Sequence, residues 1–226
     1  LGSDALALAP LTREIAYLED GDWVVVTAKG ATFHDEHNHV VLRQKKLTAL
    51  TGAAIGKGNF RHFMEKELHE HPVVIGDVLH RMLEGEAPRL PALPFDLAGI
   101  KRITMSACGS AFYAGLTAKF WLENLARVPV EADVASEFRY RAPPMEAGGL
   151  GLLVSQSGET ADTLAALRYM KAEGQKILSV LNVPESTMAR ESDAILETIA
   201  GPEIGVASTK AFTAQMTTLA VFALAL

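Results

Sequence analysis

Leu152-Leu153-Val154-Ser155-Gln156-Ser157-Gly158-Glu159-Thr160 has the pattern of a strand that breaks into a turn, and Ala161-Asp162-Thr163-Leu164-Ala165-Ala166-Leu167-Arg168 continues as a helix. The first amides of a helix have no intrahelical acceptors and the helix dipole is positive there. Such a junction holds an anion without help from lysine or arginine. Three hydroxyls, Ser155, Ser157 and Thr160, crowd this point. Helix capping accounts for one of them, since serine is a favoured N-cap and Glu159 suits a first turn. The stretch is therefore expected to bind phosphate, with the Gln156 amide free to donate to the same anion or to a sugar hydroxyl.

Outward from this junction, apolar runs and helical patterns alternate. Strands are expected at 102–106, 130–134, 151–155, 176–182 and 194–197, and helices near 110–125, 160–173 and 208–226. Alternation of this kind predicts an α/β fold, a parallel sheet covered by helices on both faces, with ligands at the carboxyl ends of the strands. A second small-residue turn, Ser106-Ala107-Cys108-Gly109-Ser110, falls at one such end, and a third, Gly201-Pro202-Glu203-Ile204-Gly205-Val206-Ala207-Ser208-Thr209-Lys210, leads into the last helix. Cys108 at a helix start invites a nucleophile reading, but no histidine is spaced to serve as its base. Gly109 and Ser110 are the better candidates for ligand contacts. The third turn has two readings, a loop capped by Ser208 or a backbone lining the sugar end of a pocket.

The N-terminal part has a different pattern. Residues 13–19 and 23–27 flank Asp20-Gly21-Asp22, which predicts a hairpin, and residues 31–34 and 40–43 flank a polar turn carrying His37. Strands this few are marginal alone, so they are expected to belong to a larger β-rich domain. The glycines in Thr51-Gly52-Ala53-Ala54-Ile55-Gly56-Lys57-Gly58 mark a linker. Residues 60–71 then predict a helix closed by Pro72, with a second helix over 73–83. The histidines at 34, 37 and 39 sit in a solvated turn without a cysteine partner, and His62, His69 and His71 share a charged helix, so no metal is assigned.

Composition narrows the classes. The chain has 226 residues, 49% hydrophobic and 21% charged, enough for a sizeable core. A formal charge of -6 argues against a broad nucleic-acid surface. One cysteine forbids an internal disulfide and fits a reducing compartment, the cytoplasm. Residues 211–226 are apolar but interrupted by Thr213, Gln215, Thr217 and Thr218, so a core helix is expected there rather than a membrane span. The start at Leu1 and the stop at Leu226 inside an uncapped apolar pattern suggest a fragment.

Three stretches together resemble one family: Ser155-Gln156-Ser157-Gly158-Glu159-Thr160-Ala161-Asp162-Thr163, Ala135-Ser136-Glu137-Phe138-Arg139-Tyr140-Arg141, and Glu203-Ile204-Gly205-Val206-Ala207-Ser208-Thr209-Lys210-Ala211-Phe212-Thr213. They look like the first sugar isomerase (SIS) domain of the glutamine-fructose-6-phosphate aminotransferases, also called glucosamine-6-phosphate synthases. The resemblance implies an SIS-type parallel sheet at 100–226, a helical entry at 60–99, a linker at 51–59, and the β-rich end of a glutaminase domain at 1–50. It further implies formation of glucosamine 6-phosphate from fructose 6-phosphate and glutamine, with no cofactor or metal, in a cytoplasmic homodimer.

By the same resemblance Ser155, Gln156, Ser157 and Thr160 hold the phosphate, and Cys108, Gly109, Ser110 and Val206 contact the sugar. The glutaminase nucleophile, the isomerase base and the lysine that aids ring opening fall outside this chain. The fragment is thus expected to bind and not to turn over, with no catalytic residue of its own. One departure stands out: the family commonly has a second hydroxyl where this chain has Ala111. Two rival readings remain on the sequence, a non-catalytic SIS module that senses a phosphosugar and a simple phosphosugar isomerase, because the fold hosts all three roles.

Overall fold

The computed structural model describes residues 1–2, 5–8, 11–47 and 56–226. The chain divides into two compact units, Leu1–Gly58 and Asn59–Leu226. Most of the predicted linker, residues 51–55, lies outside the described residues.

Among its described residues the first unit has a short helix α1 (Ala5–Leu8) and five short strands: β1 (Glu14–Ala16), β2 (Trp23–Thr27), β3 (Gly30–His34), β4 (Val40–Val41) and β5 (Lys45–Leu47). The hairpin expected between β1 and β2 does not form. β2 pairs instead with β3 through a tighter turn that sets Thr27 opposite Gly30, and β1 pairs antiparallel with β5. The Asp20-Gly21 turn is nevertheless there, with Gly21 at φ +86. Asp22 accepts from the Glu19 amide at 2.9 Å and takes both nitrogens of the Arg43 fork at 2.7 and 2.8 Å. The local signal made the turn, while longer-range pairing chose the partners. The second expected pair, β3 with β4, does form, around a turn in which Asp35 accepts from the His37 and His39 amides.

In the second unit, α2 (Phe63–Met82) runs straight through Pro72. This corrects the two helices expected on either side of that proline. Proline removes one amide and crowds the carbonyl four residues back, yet here it sits on the exposed side of the helix. The buried stripe of Val74, Val78 and Met82 keeps the helix continuous against the core. A small hairpin of β6 (Leu83–Glu84) and β7 (Ala87–Pro88) follows.

The remainder is β8 (Ile103–Ala107), α3 (Gly109–Trp121), β9 (Val130–Val134), α4 (Ala135–Arg141), β10 (Leu150–Ser155), α5 (Ala161–Ala172), β11 (Lys176–Leu181), α6 (Thr187–Glu191), β12 (Ala194–Glu197) and α7 (Lys210–Ala225). The five strands form one sheet in the order β12-β11-β10-β8-β9, every pairing parallel. This is the α/β architecture expected from the alternation. The three inner strands β8, β10 and β11 are buried on both faces and read as largely apolar runs for that reason, whereas the edge strands β9 and β12 are only half-buried.

Side chains sort by parity along each strand. Leu150, Leu152 and Val154 of β10, with Leu178 and Val180 of β11, join a core with Val78 of α2, Ala114 and Ala118 of α3, and Leu219 and Phe222 of α7. Leu153, Ile177 and Leu181 point into a second core with Phe138 of α4, Ala166, Leu167 and Met170 of α5, and Met188 of α6. Helices α2, α3 and α7 therefore cover one face, and α4, α5 and α6 the other. Helices α4 and α6 were not foreseen. Both are short, and pattern reading needs a longer window than 5–7 residues.

At the edge of the sheet, Glu131 on β9 takes Arg102 at 2.6 Å and Arg141 at 3.2 Å. Hydrogen bonds from these two guanidiniums, Arg102 first, hold the Glu131 carboxyl below the usual carboxylate range. A carboxyl whose pKa is depressed on folding contributes stability that is present above its unfolded value and lost as pH falls through the folded one. The thermal midpoint is expected to be flat from neutral pH to about 5 and to fall below about 4, where ordinary glutamates protonate. A midpoint unchanged down to about pH 3 would contradict this linkage. Among the described residues no helix is long and apolar enough to cross a membrane.

Candidate functional site

The carboxyl ends of β8 and β10 lie side by side, with Val154 in register with Ala107. Each strand passes through a glycine with positive φ into a helix: Gly109 at +58 opens α3 and Gly158 at +68 precedes α5. Such backbone is unfavourable for a residue with a Cβ. The two turns face one cavity of about 310 Å³.

In the turn after β10 the hydroxyls are organised by backbone amides. Ser155 Oγ accepts from the Gly158 amide at 3.0 Å and lies 3.4 Å from Thr160 Oγ1, and Ser157 Oγ accepts from the Glu159 amide at 3.2 Å. A serine oxygen that accepts from the backbone still has its own proton to donate. Thr160 takes the N-cap position of α5 but makes no side-chain cap bond. Capping of α5 therefore uses none of the three hydroxyls as the expected side-chain cap, although Ser155 and Thr160 share one hydrogen bond between them.

The turn is braced from outside the cavity. Gln156 O accepts from the Asn182 amide at 3.1 Å, and Gly158 O accepts from the Met188 amide at 3.1 Å. Glu159 Oε1 accepts from the Thr187 amide at 2.7 Å. Asp162 in the first turn of α5 binds Arg139 at 2.8 Å. These bonds fix the turn on α6 and α4 and leave its inner side to the cavity.

All eight residues singled out in the sequence line this one cavity: Ser155, Gln156, Ser157 and Thr160 from the β10 turn, Cys108, Gly109 and Ser110 from the β8 turn, and Val206 from the loop before α7. Ala111 lines it as well. Four further polar lining residues were not anticipated as such: Thr163, Glu203, Ser208 and Gln215. Gln215 carried a visible signal, an amide within an apolar helix, and it is buried at 2% exposure. The Thr163 hydroxyl is buried with no hydrogen-bond partner.

Among the described residues, no lysine or arginine lines the cavity. An anion there would be held by amides, hydroxyls and the positive end of α5. Glu203 also lines the cavity, and its Oε2 is turned to the start of α7, where it accepts from the amides of Thr209 and Ala211 at 3.1 and 2.8 Å. Of the two readings of this turn, the one with a Ser208 cap does not hold: a carboxylate takes the amides at the start of α7, with Thr209 at the N-cap position. Among the described residues, no group of three or more His, Cys, Asp or Glu is placed to hold a metal ion.

Comparison with known proteins gives this geometry relatives. Residues 96–225 match the family described as SIS domain. Over 226 residues the chain is 58% identical to the isomerizing glutamine-fructose-6-phosphate aminotransferase of Zymomonas mobilis, covering 99% of this chain and 37% of that protein. It is also 58% identical to the protein of that name from Bradyrhizobium diazoefficiens, covering 38% of its length. The chain thus spans little more than a third of the curated relatives it matches. Among solved structures it is similar to the C-terminal domain of glucosamine-fructose-6-phosphate aminotransferase from Francisella tularensis, with a TM-score of 0.70, 41% identity, and coverage of 74% of this chain and 48% of that one. A glucosamine-6-phosphate deaminase from Thermotoga maritima, at 22% identity and a TM-score of 0.60 over 72% of this chain and 48% of that one, shares the fold.

Proposed function

We propose a function from the premise that this chain belongs to the SIS domain family: it is the sugar-phosphate-binding part of an isomerizing aminotransferase that makes glucosamine 6-phosphate from fructose 6-phosphate and glutamine. The observation that carries the reading is the cavity in which the hydroxyls of Ser155, Ser157 and Thr160 meet at the positive end of a helix, with no lysine or arginine lining it among the described residues. The names of the relatives at 58% identity support the choice of sugar.

In this reading Ser155, Gln156, Ser157 and Thr160 take the phosphate, and Cys108, Gly109, Ser110 and Val206 meet the sugar. The chain's contribution is to bind and orient. Fixing the phosphate at one end of an open-chain hexose places its C1–C2 end at a set distance, so that ammonia addition and proton transfer by groups outside this chain become effectively intramolecular. Cys108 contacts the sugar and has no nucleophilic role. Residues 1–50 are the end of a glutaminase domain, 51–59 a linker, 60–99 the entry to the isomerase half and 100–226 its first SIS domain. The parent protein is a cytoplasmic homodimer that also takes glutamine.

Calorimetry with fructose 6-phosphate and with fructose tests the reading. The phosphorylated sugar is expected to bind and the plain sugar to bind far more weakly. Ser157→Ala and Thr160→Val should each weaken fructose 6-phosphate by about 1–3 kcal/mol, the cost of removing a hydrogen bond to a charged group. Equal affinity for the two sugars would remove the phosphate assignment.

A further inference from the structure

The segment between β12 and α7 has no regular structure, and its residues Val206, Ala207 and Ser208 are exposed. An exposed segment that must present backbone to a ligand needs an anchor, and here the anchor comes from far away in the sequence. Glu67 on α2 is buried at 2% exposure. Its Oε1 accepts from the amides of Ile204 and Gly205 at 2.7 and 2.9 Å, and its Oε2 lies 2.8 Å from the Thr209 hydroxyl, whose one proton it shares with Glu203 Oε2 at 3.0 Å. One carboxylate therefore holds the chain on both sides of Val206-Ala207-Ser208. The approach is close enough that a Cβ on Gly205 would stand 2.6 Å from Glu67 Oε2. One helical turn on, Glu70 binds Lys210 at 2.6 Å and ties the start of α7 to the same helix.

We propose that Glu67 is a positioning residue for the sugar: by pinning both ends of the 206–208 segment it sets the wall of the cavity beyond the phosphate turn, and with it the preference for a phosphorylated sugar over bare phosphate. The inference rests on the phosphosugar reading above. The two halves of the site are separable, because the phosphate turn is braced by Asn182, Thr187 and Met188, and none of those bonds involves Glu67. Acceptor geometry is what the site needs from this residue. A glutamine would keep one oxygen for the two amides and turn its NH2 to the Thr209 hydroxyl, which can accept.

Titration of the 226-residue chain with fructose 6-phosphate and, separately, with inorganic phosphate distinguishes the two halves. Glu67→Ala leaves two amides without their acceptor, and is expected to weaken fructose 6-phosphate about 10-fold or more while phosphate affinity moves less than about 2-fold. Glu67→Gln is expected to stay within about 3-fold of the parent chain for both ligands. Should Glu67→Ala fold poorly, Gly205→Ala displaces the same carboxylate and carries the same expectation. Parallel loss of both ligands, loss of neither, or a Glu67→Gln chain as weak as Glu67→Ala would overturn the proposal. A parent chain that binds fructose 6-phosphate no better than phosphate would instead overturn the phosphosugar reading itself.

Discussion

A Gly158→Ala chain is expected to lose about 100-fold in fructose 6-phosphate affinity, a change of about 3 kcal/mol. Two independent costs meet at this position. Gly158 has φ +68, where a residue with a Cβ is strained by about 1–3 kcal/mol. The added Cβ would also stand 2.1 Å from Ser186 Oγ and 2.6 Å from Ser186 Cβ. Ser186 has little room to retreat, since it is 2% exposed and its Oγ caps α6 by accepting from the Ala189 amide. Overpacking of this kind costs about 1–3 kcal/mol more. The backbone on either side of the substitution shapes the proposed phosphate site: the Gly158 amide orients Ser155 Oγ, and the next amide orients Ser157 Oγ. Relief of the clash must therefore move those hydroxyls. Calorimetry and a thermal melt on the same preparation check this, and parent-like affinity in a folded Gly158→Ala chain would show that the turn need not have this shape to bind.

The same turn shows why part of the molecule was legible in its sequence. Helix dipoles, glycine at positive φ and hydroxyls at a strand end are local causes, written within ten residues of where they act. The parallel sheet was legible for a related reason, because strands buried on both faces leave uninterrupted apolar runs such as 150–155. What could not be read was set by partners distant in the chain. The proline in α2 has a local meaning, to stop a helix, which is overridden by packing against α7. The Asp-Gly signal before β2 made its turn but could not name the partner strand. Glu67 looked like one more charged residue of a charged helix, and nothing near it announces amides 137 and 138 positions later.

Phe222→Ala separates stability from binding in the opposite sense to Gly158→Ala. Phe222 is fully buried on α7, in the core shared with α2 and α3. Truncating a buried phenylalanine costs about 3–5 kcal/mol, the lost transfer energy plus the cavity left behind. For a domain of this size each kcal/mol lowers the thermal midpoint by about 2–4 °C, so a fall on the order of 10 °C is expected. Binding should be spared. The start of α7 is held to its surroundings by Glu203 on the amides of Thr209 and Ala211, and by Glu70 on Lys210. Phe222 lies about 18 Å further along the helix, at 1.5 Å per residue. Well below its lowered midpoint, the Phe222→Ala chain is expected to bind fructose 6-phosphate within about 3-fold of the parent, as additivity for sites this far apart requires. An unchanged midpoint would mean that the core of α2, α3 and α7 is not what holds this unit together. A large loss of affinity in the folded variant would mean that the cavity depends on the whole length of α7 and not on the carboxylates that grip its first turn.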